Sequence, residues 1–186
     1  MSTNDISIDS SQPHSLERFL VDSDMDPGLV YLLRKVGFKA THAVWKKIPN
    51  DDTNYLVWAR THGYILVCHD KHRDVKTKYS FYSEMYYRGG QVIRVGKPGQ
   101  STLRLLGVIL AQRHMWQEYF HNDSGEAHPH PSGCKFLTAG QLLERSSYAM
   151  RLPFPDPATP LRDRKPLPRH TAKRKPPHDL NQPPLL

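Results

Sequence analysis

The chain has 186 residues, 26 Lys/Arg against 18 Asp/Glu, a formal net charge of +8 and a mean hydropathy of −0.64. That length allows one domain with a real core plus polar extensions, and no apolar run approaches the roughly 18 residues needed to cross a bilayer. The polar, acidic start MSTNDISIDSSQPHSLER is neither a secretory nor a mitochondrial signal, and Cys68 and Cys134 sit in settings that build no disulfide framework. An intracellular, cytoplasmic protein is expected, or a nuclear one in a eukaryote.

Residues 1–17 read as a disordered N-terminus, and structure is expected from Arg18. Phe19-Leu20-Val21 is a short strand that ends at Asp22. Asp26 then precedes Pro27, an N-cap followed by proline in the first helical position. Leu29, Leu32, Leu33 and Val36 recur at one helix face, and Gly37 is placed to stop that helix. Phe38 to Val44 alternates as a second strand. Pro49-Asn50-Asp51-Asp52 turns into a helix on which Tyr55, Leu56 and Ala59 form the apolar stripe, ended by Gly63. Either Asp51 or Asp52 suits its cap.

Tyr64 to Cys68 is continuously apolar, the pattern of a strand buried on both faces in a parallel sheet. Asp70 follows it, then Lys71, His72, Arg73 and Asp74. Residues 79–88 are aromatic and helical, with Tyr79, Tyr82 and Tyr86 on one face. Gln91 to Val95 is a fourth strand. Ser101 caps a long helix whose buried face is Leu105, Ile109, Trp116 and Phe120. HNDSGEAHPHPSG, from His121, reads as loop, and a short helix is expected around Thr138–Met150.

From Arg151 the chain holds ten of the sixteen prolines and eight Lys/Arg against three Asp, +5 of the net +8. Such a segment cannot bury enough apolar surface to order itself. The expected organisation is therefore a disordered start (1–17), an α/β domain (18–120), a loop and short helix (121–150) and a basic, proline-rich disordered tail (151–186). The alternation of strand and helix specifies an α/β fold with a mostly parallel central sheet of about four strands.

The acids collect at one rim of that sheet. Asp22 and Asp70 end strands, Asp24 and Asp74 follow them closely, and Asp52 opens a helix. Ligands of open parallel sheets bind at this carboxyl edge. Clustered aspartates repel one another, and a divalent cation relieves the repulsion. Carboxylate oxygens suit Mg²⁺ or Mn²⁺, which support phosphodiester hydrolysis. The plain alternative is that these acids are turn and cap residues.

Two segments carry a family resemblance. FLVDSDMDPGLVYLLRKVGF resembles the opening strand and Pro-started helix of compact PIN-like nuclease domains. NDDTNYLVWARTHGYILVCHDKHRD resembles their second signature, with Asp52, Ala59 and Gly63 in matching places and Asp70 eighteen residues after Asp52. GQVIRV is similar to the family's fourth strand. The resemblance covers residues 18–112. It implies a PIN-like three-layer fold related to the VapC-type toxin ribonucleases, which use Mg²⁺ or Mn²⁺ to cut single-stranded RNA. Asp22, Asp52 and Asp70 carry over as metal ligands and catalytic acids. Asp24 stands where the family has Asn and could add a ligand. The family's acid two residues past Asp70 is His72 here, and Asp74 is the candidate replacement.

The partners this implies are RNA, an antitoxin-like protein inhibitor and a second copy in a homodimer. A catalytically inactive PIN-like module that binds RNA or a protein is the alternative. Lys71, His72 and Arg73 are candidate phosphate contacts, and Tyr82 and Tyr86 candidate base-stacking rings. Three features are set aside. GKPGQST (96–102) lacks the P-loop order and has Pro98 in place of an amide donor. His114, His121, His128, His130 and Cys134 lack the paired spacing of a structural zinc site. A receiver-type reading would need acids directly before the first strand's terminal Asp22 and a lysine ending a later strand, and neither stands out.

Overall fold

A computed structural model of the chain describes residues 17–69, 75–96 and 99–151. The expected disorder of 1–16 and of the tail from 152, and the acid-base stretch 70–74, lie outside the described residues. The sheet is built from β1 (Arg18–Val21), β2 (Lys39–His42), β3 (Ile65–Cys68), β4 (Gln91–Arg94), β5 (Gly125–His130) and β6 (Gly133–Thr138). Their order is β2-β1-β3-β4-β5-β6, parallel except for the β5–β6 hairpin. The helices are α1 (Gly28–Lys35), α2 (Asp52–Thr61), α3 (Val75–Arg88), α4 (Thr102–Ala111), α5 (Arg113–Asn122) and α6 (Ala139–Met150). Among the described residues no helix is long and apolar enough to cross a membrane.

Alternation along the strands sorts side chains between two cores. Phe19, Val21, Ile65, Val67 and Ile93 face the layer of α1, α4 and α5, where Leu29, Leu33, Ile109 and Trp116 complete the packing. Leu20, Leu66, Cys68 and Val92 face the layer of α2, α3 and α6, with Tyr55, Leu56, Phe81, Met85 and Leu143. Every residue of β3 is buried, as its unbroken apolar run requires in the middle of a three-layer sandwich. Gly37 and Gly63 follow α1 and α2 at φ of +96° and +69°, left-handed positions that glycine occupies without a Cβ clash.

The sheet has six strands rather than about four. The segment expected to be loop after His121 forms β5 and β6. Pro129 made it unlike a strand, since proline gives no ladder hydrogen bond. β4 pairs with β5 only as far as Ala127, so Pro129 has a neighbouring strand on one side alone. The long helix from Ser101 is also two helices. Trp116 Nε1 donates to the Ile109 carbonyl at 2.9 Å, taking the acceptor that Arg113 N–H would use in a continuous helix. The chain breaks there at Gln112, φ −106°. Ser101 does cap α4, accepting from Arg104 N–H at 3.4 Å, and Leu105, Ile109, Trp116 and Phe120 are all buried. α6 opens with a reciprocal capping box between Thr138 and Gln141.

Candidate metal centre

Strand order reverses around β1. The chain steps from β1 to β2 on one side, then to β3 on the other. At such a switch point the crossovers leave in opposite directions and open a crevice at the carboxyl ends of the two strands. Asp22 sits in that place: its N–H donates to the Val67 carbonyl of β3 at 2.9 Å, while Ala43 N–H beyond β2 donates to Val21 at 2.9 Å.

Asp22 is 8% exposed. Its pKa is raised, first by burial, then by the charge of Asp52 and then of Asp24, with bonds from Ser23 partly offsetting. Three acids from two elements thus share one electrostatic neighbourhood. Ser23 Oγ lies 3.3 Å from Asp22 Oδ1 and 3.2 Å from Asn50 Oδ1, so its single proton serves one acceptor at a time. Tyr55 Oη donates to Asn50 Oδ1 at 2.8 Å, which ties the α2 entry to the β1 loop. Neither Ser23 nor Asn50 carried a sequence signal, because small polar residues are ordinary in turns.

The competition between Asp51 and Asp52 resolves by geometry. Asp51 is the cap, its Oδ1 accepting from Thr53 N–H at 3.0 Å. Asp52 is the first helical residue, partly buried, with its charge acting on Asp22. This separates two roles that mutation can test. Asp51→Ala should lower stability by about 1 kcal/mol, the usual loss for a cap, and leave any Mn²⁺-dependent activity intact. Asp52→Asn should do the reverse. Urea unfolding of both variants beside an activity assay checks the pair. Asp26 keeps a capping role too: its Oδ1 accepts from Gly28 N–H at 2.7 Å, although regular helix begins only at Gly28.

Asp22, Asp24 and Asp52 offer hard oxygen donors of the kind Mg²⁺ and Mn²⁺ take. Among the described residues, no group of three His, Cys, Asp or Glu side chains is close enough to hold a metal ion. Asp70 and Asp74, and the candidate phosphate contacts Lys71, His72 and Arg73, lie outside the described residues. His69, just before them, is held by Nδ1 on the Val95 carbonyl at 2.8 Å.

Tyr82 and Tyr86 are not where a base could stack. They are 9% and 1% exposed, packed in the core between α3 and its neighbours. Their spacing marks a helix face but not which way it turns, and it turns inward. Sequence reading also passed over a buried ion pair. Arg94 Nη2 lies 2.6 Å from Glu126 Oε1, with side chains 2% and 1% exposed, and Glu126 Oε2 lies 3.1 Å from His128 Nε2. Arg94 Nη1 donates to the His69 carbonyl at 3.1 Å and to Cys68 Sγ at 3.4 Å. A charge inside the apolar strand QVIR was the available signal, since a buried charge requires a partner. His128 is thereby placed beside a carboxylate. The Cys68 thiol beneath the pair is pushed up to about 12, mainly by burial.

Compared with family models, curated proteins and solved structures, the chain matches none.

Proposed function

We propose that the protein is a metal-dependent ribonuclease of PIN-like fold that hydrolyses phosphodiester bonds of single-stranded RNA. The observation that carries this reading is the buried Asp22 at the sheet's switch point, its carboxyl pushed up by burial and by Asp52 and Asp24. A fold that needed only a turn at this place would not gather like charges around a buried acid.

Asp22, Asp52 and Asp70 would hold Mg²⁺ or Mn²⁺, with Asp24 or Asp74 as a fourth acid. Bound there, the cation supplies charge stabilisation for the phosphodiester and a more acidic water. Lys71, His72 and Arg73 would meet the phosphate. Asn50, fixed by Tyr55, would compete with the Asp22 carboxylate for the Ser23 hydroxyl proton.

The test is cleavage of single-stranded RNA with Mn²⁺ by wild type, Asp22→Asn and Asp70→Asn. Loss in both variants is expected, and equal activity in all three removes these acids from the mechanism. One sequence feature favours a second reading, a silent RNA- or protein-binding module: His72 stands where the family places an acid. Calorimetry separates the two, because the silent module takes up no Mn²⁺ in the micromolar to low millimolar range.

A further inference from the structure

Between Pro27 and Pro49 the chain has no Asp or Glu and five Lys/Arg. This stretch forms α1, β2 and a 3₁₀ turn, Val44–Lys46. Two large rings stand out from it. Tyr31 is 59% exposed and Trp45 43% exposed, and they meet edge to face with centroids 5.7 Å apart. The Arg34 guanidinium lies 5.7 Å from the Trp45 ring centroid and is itself anchored, Nε donating to the Ala40 carbonyl at 2.8 Å. Arg34, Lys35, Lys46 and Lys47 are all exposed.

The turn is held in an unusual way. Lys47 has φ +52° and ψ +32°, left-handed backbone that disfavours a residue with a Cβ. Glycine would relieve that conformation, so a lysine there keeps its cation at a backbone cost. The surface also has a direction. Ala43 N–H donates to Val21, beside Asp22, and Trp45 follows two residues on, its ring 5.6 Å from that of His42. The rings therefore stand at the carboxyl edge of β2, on the same rim as the acids.

Val36 and Val44 are exposed in the same stretch, but lysines, which protein interfaces deplete, ring the pair without any acid, and rings among cations of one sign fit a polyanion with flat bases. We infer that Tyr31 and Trp45, with Arg34, Lys35, Lys46 and Lys47, form a docking surface for single-stranded RNA that feeds the acidic rim. The rings stack on unpaired bases and the cations follow the backbone. This inference takes its choice of RNA from the ribonuclease reading, and the experiment keeps the two apart.

Full-length protein is titrated into a short fluorescein-labelled oligouridylate in EDTA, at several salt concentrations, and read by anisotropy. Trp45→Ala is expected to weaken binding about tenfold, with Trp45→Phe restoring most of it. Lys46→Ala with Lys47→Ala should reduce the magnitude of the log–log salt slope by about 1.4, from roughly 0.7 per phosphate on single strands. Lys47→Gly should weaken binding while raising Tm by about 2 °C, opposite signs that loss of structure would not produce.

Unchanged affinity and slope in Trp45→Ala and in the double lysine variant overturn the proposal. Tighter binding of duplex, or of a deoxy oligomer, overturns single-stranded RNA as the occupant. So does dimerisation that Trp45→Ala abolishes while RNA binding stays the same, for the occupant is then a second copy. Wild type that binds through Trp45 but never cleaves with Mn²⁺ sinks the ribonuclease reading and leaves this surface standing.

Discussion

Arg94→Ala is expected to destabilise the protein by about 3–5 kcal/mol, the cost of stranding one member of a buried ion pair. It leaves the buried Glu126 carboxylate with His128 but without its guanidinium, and it removes the donor that holds the His69 carbonyl. Glu126→Ala should cost a similar amount by leaving the buried guanidinium without a carboxylate counter-charge. Arg94→Met combined with Glu126→Leu should cost much less than either single change, because an apolar pair of similar volume needs no desolvation. A urea-unfolding cycle of Arg94→Met, Glu126→Leu and the double variant measures the difference. Additive losses would mean that the two charges are not coupled.

The pair also sets a pH dependence. Burial alone raises the Glu126 pKa, but the His128 hydrogen bond and the charges of Arg94 and His128 reverse that, and the net shift is downward. A carboxyl lowered in the fold contributes stability that is present above its unfolded value, near 4.5, and lost as pH falls through the folded value. The gap between wild type and Glu126→Gln should therefore be full at neutral pH and close below about 4.5.

Asp22 has the opposite sign, and this gives the second large effect. Its folded pKa is raised, so its contribution is present in full below 3.8 and lost as pH rises through the folded value. At neutral pH the charged carboxylate works against the fold. Asp22→Asn should then be more stable than wild type at pH 7, and the advantage should vanish in acid. The same change should lower Mn²⁺-dependent RNA cleavage about 10³-fold, since the cation's charge stabilisation is worth several kcal/mol. Manganese should stabilise wild type by about 2.7 kcal/mol at a hundred times its Kd and leave Asp22→Asn unmoved. A variant gaining stability while losing function is the signature of an acid kept for chemistry. An Asp22→Asn protein less stable than wild type at pH 7 would mark Asp22 as a structural hydrogen-bonding group.

Much of this arrangement was readable in the chain. Short apolar runs followed by Gly37 and Gly63 located β1, β3 and the first two helices, because period and punctuation agreed. Asp22 and Asp52 could be assigned to one rim from the alternation of strands and helices, and the Asp52 charge does act on Asp22. Three things could not be read. Pro129 concealed β5, whose one-sided pairing only the assembled sheet makes clear. The apolar period runs unbroken from Leu105 to Phe120, so nothing announced the break that the Trp116 indole imposes. Tyr82 and Tyr86 lay on a face whose orientation depends on α6, which is distant in sequence. Two rings that do reach solvent, Tyr31 and Trp45, are scattered in sequence and come together only when α1 packs beside β2.

α6 bears on how the protein is made. It packs on α3 and contributes Leu142 and Leu143 to the second core, and β5 must first enter beside β4. With β6 between them, they are the last described elements to leave the ribosome. Until then the face of α3 that carries Phe81, Met85 and Tyr86 lacks the cover of α6, so the growing chain presents a greasy surface from the end of α3 until α6 is made. Truncations that stop before Ala139 should be chaperone clients even though they already contain every candidate acid and the exposed pair Tyr31 and Trp45.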